Sequence, residues 1–250
     1  MASKFLEGKG VNIMPYYLRT TDFWMSIWPI IIGMVICLIA SAGVKMTFKR
    51  YSSVHNSRGI TAAQAARQIL DSNGLHYVAI EMVSGSLSDH YDPRANVVRL
   101  SESVYNSTSV AAIGVAAHEC GHAVQHATDY TPIRIRQAII PITNIGSHLW
   151  YIVFVLGLAL ASTSFGVGMI YTGIILFALV VLFQVATLPV EFNASRRAID
   201  TLRSYNILED TELSQAGKVL FAAAMTYVAA VANALFQLIR LIAIANSRRE

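Results

Sequence analysis

Charge is what this sequence has least of. Only 14% of its 250 residues are Asp, Glu, Lys or Arg, against 54% hydrophobic, where soluble domains carry about 25% charged residues. The deficit is local: residues 24–44 and 167–190 contain no charged residue at all. Runs of that length exclude an ordinary soluble globule. Cysteine is scarce too. Cys37 lies in an apolar run and Cys120 beside histidines, which excludes a disulfide framework and fits a reducing compartment for the polar part. The net charge of +4 comes with no basic stripe interleaved with aromatics, so nucleic acid is not an expected partner. Repeats and low-complexity tracts are absent.

What is present begins with four stretches suited to a bilayer, whose core a helix of about 20 apolar residues crosses. The first is 24–44, WMSIWPIIIGMVICLIASAGV. Its length, the 23 residues before it and Lys45, Lys49 and Arg50 after it mark an uncleaved anchor rather than a signal peptide. Residues 139–162 and 167–190 form a helical hairpin about an uncharged turn, with Trp150 and Tyr151 at an interfacial level. The fourth, 219–245, is interrupted by Asn233, Gln237 and Arg240, so it either spans or packs at the membrane surface. Lysines and arginines gather in 45–138 and 191–218, including Lys45, Arg134, Arg136, Arg196, Arg197 and Lys218. Positive charge favours the cytoplasmic side. Both polar segments are therefore expected there, with 1–23 outside, in a multi-pass protein of the cytoplasmic membrane.

The first polar segment reads as mixed α/β. GITAAQAARQILDSNG carries a Thr61 cap, sets Ala65, Ile69 and Leu70 on one helical face and stops at Asn73-Gly74. HYVAIEMV alternates as a strand, and DHYDPRANVVRLS bends at a proline before a second short strand. That is enough for a small sheet beside a helix.

The helix is VAAHECGHAVQHA, residues 115–127, where His118, Glu119 and His122 fit H-E-x-x-H. Positions i and i+4 share a helix face about 6 Å apart, so two imidazoles converge on one ion. Glu119, about 100° around the axis, is placed to take a proton without being a ligand. From the chain's own His and Glu content, ~0.006 such matches arise by chance. Gly121 and the alanines before it permit close packing behind the site.

A catalytic zinc needs a third protein ligand and one open position. Six residues past His122, where another arrangement would put histidine, stands Thr128, and His126 lies a turn away, expected to reach solvent or a carboxylate. Segments three and four hold no aspartate. Glu191 remains, in LPVEFNASRRAID at the mouth of the third segment, with Pro189 before it able to start or kink a helix. Its other role would be an ion pair with Arg196 or Arg197. Ser195, four positions after Glu191, would share its helical face and orient a ligand by hydrogen bonding, or bond back to its own backbone. Cys120 points to another face of the helix.

HECGH followed by VEFNASRRAI resembles the YugP-type bacterial membrane zinc metallopeptidases, a likeness that includes LSDHYDPR and AMTYVAA and runs from about Gly59 to Leu241. The segment also resembles the HtpX and CaaX-protease group, where Ala-Asp follows the ligand Glu; here Ala194-Ser195 stands there. The resemblance implies peptidase activity on protein or peptide substrates. The expected architecture is mainly α, a multi-pass membrane protein with a small mixed α/β zincin-like catalytic part. One zinc ion would be held by His118, His122 and Glu191, with Glu119 the catalytic base. His90, Tyr91, Arg94, Arg197 and Tyr227 are candidate donors to the oxyanion. The competing readings are a silent zinc-containing scaffold or chaperone, and a metal-handling transporter with His148 and Gln184 in its path.

Overall fold

The computed structural model describes residues 20–247, with side chains from Ile27 onward; residues 1–19 of the expected outer segment lie outside the described residues. The chain is mainly helical, with four long apolar helices and one small sheet. The helix α1 (Thr20–Tyr51) leads into α2 (Ala62–Ser72), then strands β1 (Ala79–Val83), β2 (His90–Asp92) and β3 (Val97–Ser101), and the single turn α3 (Glu102–Tyr105). Four helices follow: α4 (Val110–Ala127), α5 (Thr131–Ala159), α6 (Ser164–Ser204) and α7 (Asp210–Asn246).

Local sequence sets the boundaries of the polar part. Thr61 closes a capping box on α2: its hydroxyl accepts from the Gln64 N–H at 3.2 Å, and the Gln64 side chain accepts from Thr61 N–H at 2.8 Å. Asn73 caps the other end, and Gly74 takes the left-handed φ of +74° that releases the chain. Of the strands, β3 lies in the middle, parallel to β1 and antiparallel to β2. The β3 side chains are almost all buried, while β2 forms the edge beside α4.

The helix α4 is buried around most of its circumference. Its alanines, glycines and Cys120 let α2, α6 and α7 pack against it, and Ala112, Ile113, Ala116 and Ala117 are fully inaccessible. One core joins α2, the sheet, α4 and the lower turns of α6 and α7. A second core joins α5, α6 and α7 through Phe154, Ile170, Phe177, Ala234 and Leu241. There α5 and α6 approach closely because glycine faces backbone. A Cβ at Gly157 would sit 2.7 Å from the Ile170 nitrogen, and one at Gly173 2.8 Å from the Phe154 Cβ.

The outer surface of the long helices is apolar. Leu38, Ile39, Ile145, Ile175 and Ile239 are each 58% or more exposed. Water does not tolerate so continuous a patch on a monomer, whereas hydrocarbon does. The four helices are long and apolar enough to cross a membrane.

The long helices are not bounded by their apolar windows. The helix α5 starts at Thr131, ahead of the apolar window that opens at 139, because Pro132 suits a first turn and two polar turns precede the apolar part. Pro189 neither starts nor ends a helix: α6 continues through it to Ser204. Just beyond the proline, the Gln125 amide of α4 donates to the Val190 carbonyl at 2.8 Å, which ties α6 to a neighbouring helix there.

Candidate metal centre

Two helices bring the chemistry together. From α4 come His118 and His122, whose ring centroids lie 4.7 Å apart. From α6 comes Glu191, only 3% exposed. Its Oε2 lies 3.3 Å from His118 Nε2 and 3.6 Å from His122 Nε2. One ligand atom from each residue falls within 4.8 Å of the other two, the one such cluster among the described residues. Ligands held at 2.0–2.1 Å in a tetrahedron stand about 3.4 Å apart, so the observed separations suit a zinc ion at their centre. Glu191 Oε2 is also buried with no hydrogen-bond partner, which is costly unless a cation satisfies it. Neutral nitrogen donors and one carboxylate are the donor set zinc takes in catalytic sites.

The outer partners fix how the rings present themselves. Gln125, fully buried, donates its Nε2 to the Val190 carbonyl at 2.8 Å and to Asn193 Oδ1 at 3.0 Å. Its carbonyl is thereby left to accept from His122 Nδ1 at 3.0 Å, so the Nε2 lone pair faces the cluster. Ser195 Oγ lies 3.1 Å from His118 Nδ1, within hydrogen-bond distance of that ring. Without metal, burial works against charge on His122, but Glu191 and Glu119 outweigh it and hold its pKa above the ordinary value.

Glu119 stands beside the cluster and outside it. Its Oε2 accepts the Tyr91 backbone N–H at 3.0 Å, which ties the carboxylate to the edge strand β2. Tyr227, from α7, lines the same space. Two cavities open on this centre, about 390 Å³ and about 320 Å³, both lined by His118, Glu119, Glu191 and Tyr227.

Other expectations fare differently. The ion pair of Glu191 is made by neither Arg196 nor Arg197. Arg136 of α5 approaches its Oε1 at 3.7 Å, while Arg196 faces Asp200 and Arg197 bonds Asn193 Oδ1 at 2.8 Å. The reason is geometric: Arg196 and Arg197 leave α6 on other faces, whereas α5 runs alongside Glu191. His126 reaches neither the cluster nor a carboxylate. Its ring packs at a tilt against Tyr91, with centroids 5.5 Å apart, and lies 3.3 Å from the Gln137 amide. Burial, with His122 and Arg136 nearby, lowers its pKa. His90 and Tyr91 line the smaller cavity, but Arg94 and Arg197 line neither. Cys120 turns away toward the Ala66 carbonyl, and burial pushes its thiol pKa far up. Gln125 and Arg136 carry no motif. For Gln125 the available signal was a lone amide three residues after a ligand histidine.

Comparison with known proteins agrees with this geometry. The chain is 48% identical over 201 residues to the "Putative membrane protease YugP" of Bacillus subtilis (strain 168), covering 80% of this chain and 88% of that protein. No solved structure matches it. Residues 26–246 match the family model described as "Putative neutral zinc metallopeptidase", and the chain belongs to that family.

Proposed function

We propose that this protein is a membrane-embedded endopeptidase dependent on one zinc ion, held by His118, His122 and Glu191. The observation that carries the reading is the convergence of these three donor atoms with a fourth residue, Glu119, next to them but not among them. Structural zinc sites close all four positions with protein ligands, whereas catalytic sites keep one open. When bound, zinc supplies Lewis acidity and makes a water acidic enough to lose its proton near neutrality.

The chain's own groups do the rest. Glu119 uses one oxygen to hold the Tyr91 N–H, and its other oxygen is free to take the proton of the attacking water and pass it to the leaving amine. Tyr227, which lines both cavities, is the donor assigned to the developing oxyanion. Arg136 balances Glu191 from the opposite side. The Lys and Arg bias argues for a cytoplasmic site, and its closeness to four apolar helices argues for membrane or membrane-proximal protein substrates.

Purified protein in detergent is expected to carry one zinc per chain and to cleave unstructured peptides. A zinc chelator should abolish cleavage and added zinc restore it. Stoichiometric zinc with no hydrolysis of any peptide would favour the silent scaffold and defeat the proposal. The outer partners give a second expectation. Removing such a partner typically costs 10–100-fold in metal affinity, so Ser195→Ala should weaken zinc binding about tenfold. Gln125→Leu should cost nearer the upper end, because it also releases the two bonds to α6. Competition with a chelating dye reads both.

A further inference from the structure

The two cavities that meet at the metal centre are chemically unlike. The smaller one runs under β2 and α5 and is the more polar, with His90, His126, Arg136 and Gln137 beside Ile133 and Ile140 in its wall. The larger one, about 390 Å³, lies between the end of α1 and the middle of α7. Phe48 of α1, Leu87 of the β1–β2 connection, Val115 of α4, and Leu220, Ala223 and Ala224 of α7 make its wall apolar. Both cavities share Glu119, the ligand residues His118 and Glu191, and Tyr227. A chain laid through both would therefore cross the centre with a polar flank on one side and an apolar flank on the other.

We infer that the α1–α7 chamber is the substrate subsite that selects a bulky apolar side chain, leucine or aromatic, next to the cleaved bond. The inference rests on the peptidase reading for its substrate class, and adds which residues of that substrate are chosen. Volume supports it: an apolar cavity of about 150 Å³ already holds a benzene ring, so this chamber takes an aromatic side chain with space left for a neighbouring residue. Chemistry supports it as well. Apolar walls favour each buried methylene by about 0.8 kcal/mol, while a charged side chain there would be desolvated, and the charged groups of the wall are Lys45, Asp89 and the carboxylates Glu119 and Glu191 of the centre itself. Location argues for the source. Two walls of the chamber belong to helices whose outer faces are apolar, so a segment unravelled from a membrane helix meets the chamber with its own residue types. The small Ala223 and Ala224 keep the space open on the α7 side, and Phe48 closes it on the α1 side.

The test measures binding, separately from catalysis. Zinc-loaded Glu119→Gln protein in detergent is titrated with fluorescent peptides identical except for one residue, Ala, Leu, Phe or Trp. The Leu and Phe peptides are expected to bind at least tenfold tighter than the Ala peptide. Adding Ala223→Leu should shrink that preference to within about threefold. Phe48→Ala, which enlarges the chamber, should shift the preference toward Trp, and it serves if the filled variant does not fold. Equal discrimination in all three proteins overturns the inference, since the chamber would then be space for lipid and not for substrate. The enzymatic reading fails in a different way, by wild-type protein hydrolysing none of these peptides while the binding preference still follows the chamber.

Discussion

Replacing Glu119 by glutamine is expected to reduce peptide hydrolysis by about 10³-fold while leaving the zinc content at one per chain. The two halves of that result have separate causes. Activity falls because an amide cannot accept the proton of the attacking water, and general-base assistance contributes 10²–10⁴-fold. Zinc stays because the proposed ligand atoms belong to His118, His122 and Glu191, and Glu119 is not in their cluster. Glutamine also preserves the local structure. Its carbonyl oxygen can still accept the Tyr91 N–H that now goes to Glu119 Oε2 at 3.0 Å, so β2 keeps its place against α4. Steady-state rates on a fluorogenic peptide, with metal analysis of the same preparation, read both halves. A variant keeping more than a tenth of wild-type activity would remove Glu119 from the mechanism. One that lost its zinc would mean that the carboxylate is a ligand after all.

How far the centre was legible in the sequence follows from the range of each interaction. His118, Glu119 and His122 sit within one and a half turns of α4, so helical geometry alone fixed their relation. Glu191 stands out as an acid at the end of an uncharged run, and Ser195 by its four-residue spacing from it. The Thr61 cap and the Gly74 stop were equally local, and the four apolar runs gave the long helices. What escaped was tertiary. Arg136 precedes Glu191 by 55 positions in the numbering, and only the packing of α5 beside α6 makes them neighbours. Gln125 acquires its role from α6 groups that no motif announces. Apolar windows mark what lipid covers, not where backbone hydrogen bonding stops, which is why α6 passes through Pro189 and ends only at Ser204. The third strand, β2, was hidden by its three-residue length; it matters because it holds Glu119.

Gly121→Ala is expected to weaken zinc binding by more than tenfold and to lower the thermal midpoint, although alanine is the better helix former by about 1 kcal/mol. The cause is the crossing of α4 and α6. A Cβ at position 121 would stand 2.6 Å from the Ala194 carbonyl oxygen and 3.2 Å from its Cα. These are backbone atoms of a fully buried residue, with no flexible side-chain end to yield. The helices must separate, and the displaced stretch of α6 carries Glu191 one turn earlier and Ser195 one residue later. Overpacking of this kind costs about 1–3 kcal/mol, which exceeds the propensity gain. Moving Glu191 Oε2 from its 3.3 Å and 3.6 Å positions spoils the donor geometry at the same time. Gly114→Ala in the same helix is the internal comparison. Its Cβ would meet the Ala216 Cβ at 3.5 Å, an ordinary contact, so stability should hold or rise slightly and zinc affinity stay the same. Chelator competition and thermal unfolding of both variants in one detergent separate the two effects. Equal behaviour of the pair would mean that the glycine inside HECGH is there for some reason other than the approach of α6.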